Sequence, residues 1–382
     1  MKTEYPKHHL LIEKLLHHFF NRIGWDINYN LTLKLDKSLN HLLEAYIDMK
    51  EWIINVRYPF NFLELFKEIN EKYEFYKLYE PNMLNAPIDA DNQYKYHQEL
   101  YNFLAGISFH EFGHSKECPI DLDNFSIILQ AVSTNLEQKE KFDNILLIYI
   151  VNLFSDMIVN LIYGLDRQNA FFRNSIFTFY FSEIVFYESK DPSYYLFVLL
   201  NLKLIQFHTS FRDAFEMIIF QRIFENFDNP LENLLTLFCP FGEIKDKAKI
   251  GISISENERW KIINYVTENN NWGPMAYQFT DIILEYVDIN ILKQNQPIAG
   301  SYFTNKLISD KKYRKEILSK IMERKVNKSK SFKRNKKNKR DIENYPGERN
   351  FNLGFKLYNK IDKFDVLYEN RIKEIEFELP EI

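Results

Sequence analysis

Glycine is scarce in this 382-residue chain, ten residues in all, which disfavours folds built on glycine-rich turns. Neither GxGxxG nor GxxxxGK[ST] occurs, so nucleotide binding has no support in the sequence. Cysteine is nearly absent. Cys118 and Cys239 are too few for a disulfide framework and fit a reducing, cytoplasmic setting. The opening residues, MKTEYPKHHLLIEKLLHHFF, lack an uninterrupted apolar stretch and a small-residue cleavage site, so they do not read as a secretory signal.

Apolar and aromatic residues are plentiful. Hydrophobic residues make up 46% of the chain, with 34 Phe and 24 Tyr, enough for a large core. The net charge of −4 conceals an asymmetry: residues 311–340 hold fifteen Lys/Arg against Glu316 and Glu323, a balance of +13, leaving −17 for the other 352 residues. Within that segment RKVNKSKSFKRNKKNKR (324–340) has no apolar stripe. It reads as a disordered linker whose cations would attract nucleic-acid phosphates weakly and in a salt-sensitive way. Three regions are expected: a helical body over 1–300, the basic linker over 301–345, and a small C-terminal element over 346–382.

Apolar periodicity predicts a mainly α fold with a small β element. Residues 8–22 place Leu11, Leu15 and Phe19 on one helical face, with Ile12 and Leu16 beside them. Residues 39–55 and 61–78 read as amphipathic helices, 26–36 as a short strand, 79–93 as a loop. A helix over 93–117 should stop before Pro119, and another should follow over 124–136. The stretch FDNILLIYIVNLFSDMIVNLIYGL (142–165) is apolar enough to raise the question of a bilayer. Asn152, Asp156 and Asn160 recur every four residues within it, however, and form one polar stripe that belongs in a protein core rather than in lipid. Helices are expected again over 171–187, over 194–207 and through most of 208–295. Within that last span, 240–253 reads as a loop or hairpin, and Ser255 with Glu258 makes a capping box.

The chemistry concentrates in YNFLAGISFHEFGHSKECP (101–119). His110 and His114 leave one face of a helix a turn apart, so both imidazoles reach one ion, while Glu111 turns aside to hold a water. With nine His and 33 Glu, HExxH arises by chance about 0.02 times in such a chain, too seldom to dismiss. Small Ala105, Gly106, Ser108 and Gly113 allow close packing and close approach of a substrate backbone. A catalytic zinc needs a third protein ligand and an open fourth position. Glu117 stands where HExxHxxGxxH has its glycine and no His follows within reach, so a carboxylate is expected instead. Asp156 is preferred because its burial needs a nearby cation, with Glu137 or Glu140 as alternatives. Asn152 and Asn160 would flank it as supporting or substrate contacts.

Other residues have plainer readings. Glu183, in FTFYFSEIVF, is a paired carboxylate before it is a site acid, and Cys118 a small core residue. His208 and Tyr163 are the available oxyanion donors, although such residues usually belong to core or surface. His8, His9, His17 and His18 spread in adjacent pairs around the first helix and belong to its surface.

HEFGHSKECP followed by VNLFSDMIVN resembles zinc metallopeptidases that occur beside von Willebrand factor A modules and MoxR-type ATPases. The resemblance covers about residues 105–165. It implies a zincin-like core, Zn2+ held by His110, His114 and Asp156, Glu111 as base and Asn160 as its companion. It also implies an ATPase or von Willebrand A-type partner; a peptide or protein substrate is expected from the zinc motif itself, and no membrane from the polar stripe. No DxSxS motif of a von Willebrand metal site occurs in the chain. The reading from another class is a helical binding or scaffold protein that keeps an inactive zinc site.

Overall fold

The computed structural model describes residues 12–17, 19, 30–36, 42–48, 53–73, 97–119, 122–166, 172, 173, 175, 176, 179, 180, 191–205 and 228–294. The basic segment 324–340, the regions 301–345 and 346–382, and the loop 79–93 lie outside them. Three strands, β1 (Asn30–Leu35), β2 (Glu44–Asp48) and β3 (Ile53–Tyr58), precede the helices α1 (Phe62–Tyr73), α2 (His97–Lys116), α3 (Leu122–Gln138) and α4 (Asn144–Leu165). Six more follow: α5 (Pro192–Ile205), α6 (Asp228–Phe238), α7 (Gly242–Lys249), α8 (Glu256–Thr267), α9 (Trp272–Ile283) and α10 (Ile289–Gln294). The predicted class, mostly helical with a small sheet, is what the structure has.

Helix α4 is the axis of the core. Asp143 caps it by accepting the N–H groups of Ile145 and Leu146 at 2.8 and 3.4 Å, supplying acceptors for donors that the first turn leaves unpaired. Helices α2, α3, α5, α8, α9 and α10 all pack on it. Of its 22 residues only Asn144 and Ile145 at the start, Asn152, Asp156 and Tyr163 escape full burial. By length and composition α4 could cross a membrane; burial among the chain's own helices accounts for its apolarity.

The sheet has the order β1-β3-β2, with β1 parallel to β3 and β2 antiparallel to it. This corrects the helix expected over 39–55, which holds β2 and the start of β3. The residues that decide it are Ile54, Val56 and Tyr58, which alternate inward and are fully buried, a period of two that suits β-branched side chains. Strand β2 packs against α2, so the sheet lies beside the HExxH helix. Phe66 on α1 meets Phe103 on α2 at a ring separation of 5.4 Å.

A second correction falls at 240–253, expected as loop or hairpin. Ile244 and Ala248, one turn apart, bury one face of α7. The helix then ends in a Schellman motif, with Ile252 N donating to Lys247 O at 2.9 Å and Gly251 N to Ala248 O at 3.2 Å. Gly251 adopts φ 73° there, the left-handed conformation that glycine enters without a Cβ clash. The capping box stands as expected, with Glu258 Oε2 accepting Ser255 N–H at 2.8 Å. Residues 12–17 are helical, and their buried face centres on Ile12 and Leu16 rather than on Leu15, which is half-buried.

Candidate metal centre

Two glycines let the motif helix come close to its neighbours. A Cβ on Gly113 would lie 2.4 Å from Val159 Cγ1 and 2.8 Å from Tyr163 Cε2, both on α4. One on Gly106 would lie 2.1 Å from Ser175 Cβ. These small residues thus serve contact between helices, whereas the sequence had also suggested room for a substrate backbone. With α2 against α4 at this distance, the face carrying His110 and His114 meets the polar stripe of α4.

His110 Nε2 lies 3.5 Å and His114 Nε2 3.3 Å from Asp156 Oδ1, and one donor atom from each of the three residues lies within 4.8 Å of the others. A tetrahedral zinc with bonds of about 2.0–2.1 Å separates its ligand atoms by about 3.3–3.4 Å. The two measured nitrogen–oxygen separations match that edge. The cluster is a zincin-type metal site. Comparison with family models, curated proteins and solved structures finds no match to this chain, so the assignment rests on the site. Two imidazoles and one carboxylate are a zinc donor set. The side chains of His110, His114 and Asp156 keep 13%, 14% and 25% exposure, so solvent reaches the cluster.

The far side of each imidazole fixes its tautomer. His110 Nδ1 faces Asn160 Oδ1 at 3.0 Å, and His114 Nδ1 faces the Cys118 carbonyl at 3.0 Å. Both partners only accept, so each Nδ1 carries a proton, which leaves Nε2, the nitrogen that faces Asp156, as the one that would bind an ion. Asn160 is fully buried. Its Nδ2 donates in turn to the Tyr180 hydroxyl.

Without an ion the site is held together by a proton. Burial pulls His114 down, but the hydrogen bond and charge of Asp156, with smaller help from Glu111 and the Cys118 carbonyl, more than offset it and hold the imidazole at about 9. Burial pushes Asp156 up, and the hydrogen bonds and charges of the two histidines overcome it, leaving the carboxyl well below its usual range. Glu111 is raised by burial, against the pull of His110 and His114 and with a push from Asp156. A carboxylate raised in this way holds a proton more readily than an ordinary one, which suits a general base.

The structure thus brings His110, His114, Asp156 and Asn160 together. Asn152 is half-buried and makes no side-chain hydrogen bond among the described residues. Glu137 and Glu140, the alternative third ligands, are exposed at the end of α3 and lie outside the cluster. Glu137 accepts from Ser133 Oγ, and Glu140 occupies the left-handed position that closes the helix. Cys118 is buried, beside the Ser155 hydroxyl. Tyr163 packs edge-on against Phe109 at 5.7 Å, a core role, and His17 is exposed. Glu183, His208, His8, His9 and His18 fall outside the described residues. Sequence reasoning missed Tyr180, three residues before the Glu183 it singled out. An aromatic in an aromatic-rich segment gave no periodic or motif signal.

Proposed function

We propose that this protein is a zinc-dependent metallopeptidase that hydrolyses peptide bonds, with His110, His114 and Asp156 as ligands and Glu111 as general base. The observation that carries it is the pair of Nε2–Oδ1 separations, 3.5 and 3.3 Å, each imidazole bearing its proton on the far nitrogen. Zinc bound there supplies a water acidified toward pH 7 and a Lewis acid for the scissile carbonyl. Glu111, one residue after the first ligand and nearly buried, takes the proton from the attacking water and hands it to the leaving amine. Its apolar surroundings strengthen that role, since they favour the protonated intermediate form. Asp156 offsets one of the two positive charges of the ion, which leaves the site cationic and receptive to a developing oxyanion.

The test compares wild type with Glu111→Gln for zinc content and for cleavage of unfolded casein. One zinc per chain is expected in both, with hydrolysis about 10²–10⁴-fold lower in the variant. Equal cleavage by the two proteins would remove Glu111 as base, and metal-free wild type after zinc reconstitution would remove the site.

A further inference from the structure

Behind the HExxH helix runs a buried chain of contacts: His110 Nδ1 to Asn160 Oδ1, and Asn160 Nδ2 to the hydroxyl of Tyr180. Asn160 is fully buried and Tyr180 nearly so, so neither amide end exchanges partners with solvent. The orientation of that amide matters to the ion. With Oδ1 toward His110, Nδ1 must carry the ring proton and Nε2 keeps its electron pair for the metal. Turned about, the amide would present N–H groups to Nδ1, and the proton would move to Nε2, where it blocks coordination. Tyr180 provides the partner for the outer end of that amide, and a buried amide end without one is costly, so loss of the hydroxyl would unseat Asn160 from His110.

We propose that Tyr180 is a positioning residue of the metal centre: its hydroxyl partners the buried outer end of the Asn160 amide and so keeps Asn160 seated on His110 Nδ1, behind the nitrogen that would hold the ion. The inference rests on the zinc reading of the site. Tyr180 sits in the aromatic set formed with Phe179, Tyr194 and Phe197, which holds the ring. Tyr180→Phe therefore removes the hydrogen bond and keeps the ring.

The zinc dissociation constant is measured by chelator competition for wild type, Tyr180→Phe, Asn160→Leu and the double variant, alongside the absorption bands of the cobalt-loaded proteins and melting in EDTA. Tyr180→Phe is expected to bind zinc about 10–100-fold more weakly, the usual consequence of losing a partner behind a ligand, with shifted cobalt bands. In the Asn160→Leu background residue 160 has no polar group for the hydroxyl or the imidazole to hold, so Tyr180 has nothing left to act through. There Tyr180→Phe should change affinity by less than about threefold. Unchanged zinc affinity and cobalt bands in the single variant would overturn the inference, as would equal weakening in both backgrounds, which would make Tyr180 a packing residue. If Tyr180→Phe alone does not fold, the comparison within the Asn160→Leu background decides; failure to fold there too assigns Tyr180 to packing. Wild type that binds no zinc defeats the metallopeptidase reading instead, an outcome visible before any variant is made.

Discussion

At the scale of the residue, Asp156 is the group whose environment makes sense only with a cation beside it. It is a carboxylate on a helix whose other faces are almost wholly apolar, and both imidazoles of the motif point their inner nitrogens at its Oδ1. A buried carboxylate without a positive partner is strongly disfavoured. Asp156→Ala is expected to weaken zinc binding by more than about 100-fold, beyond what loss of a supporting partner costs. Zinc per chain, measured after dialysis against a weak chelator, checks this. Full retention would move the third ligand elsewhere. Glu137→Ala is the matched control: its carboxylate is exposed and bonded to Ser133, so zinc content should equal wild type.

At the scale of the element, the centre depends on how closely α2 approaches α4, which Gly113 sets. The added Cβ of Gly113→Ala would meet Val159 Cγ1 at 2.4 Å, so a helix must move. A cost of about 1–3 kcal/mol is expected for such overpacking, together with weaker zinc binding as Asp156 moves away from the histidines. Gly242→Ala, where nothing lies within 4 Å of the added atom, should change stability by less than about 1 kcal/mol. Denaturant melts with and without zinc separate the two, and equal effects would show that Gly113 does not set the distance. The same elements mark what the sequence makes legible. Helices α2 and α4 can be read because their apolar period is long, and the four-residue recurrence of Asn152, Asp156 and Asn160 points the stripe at the motif. Strands β2 and β3 cannot, because two five- or six-residue alternations close together in the sequence mimic one helical period. Helix α7 is hidden because its buried face consists only of Ile244 and Ala248 among charges. The Tyr180 contact is a matter of tertiary approach, for which one chain carries no local pattern.

At the scale of the whole molecule, zinc and protons compete for one site, and this couples metal binding to stability. In the metal-free protein Asp156 lies below its ordinary value, so its contribution is present above about pH 3.8 and lost as pH falls through the lowered value. His114 is raised from 6.5 to about 9, so its contribution is full below 6.5 and lost as pH rises through 9. The two describe one pair and count once. Zinc must displace the His114 proton, so its apparent affinity should rise about tenfold per pH unit up to roughly pH 9 and then level off. At free zinc of 1,000 times the dissociation constant, the ion stabilises the fold by about 4 kcal/mol. At fixed free zinc, the drop in melting temperature caused by EDTA should therefore be small at pH 6, where a proton substitutes for the ion, and larger near pH 9, where about half of that proton is gone as well. Thermal melts at pH 6, 7.5 and 9 with buffered zinc or EDTA measure it. A chelator effect independent of pH would mean that His114 exchanges no proton with the metal, and that the coupling between ligand, carboxylate and fold is not the one the geometry describes.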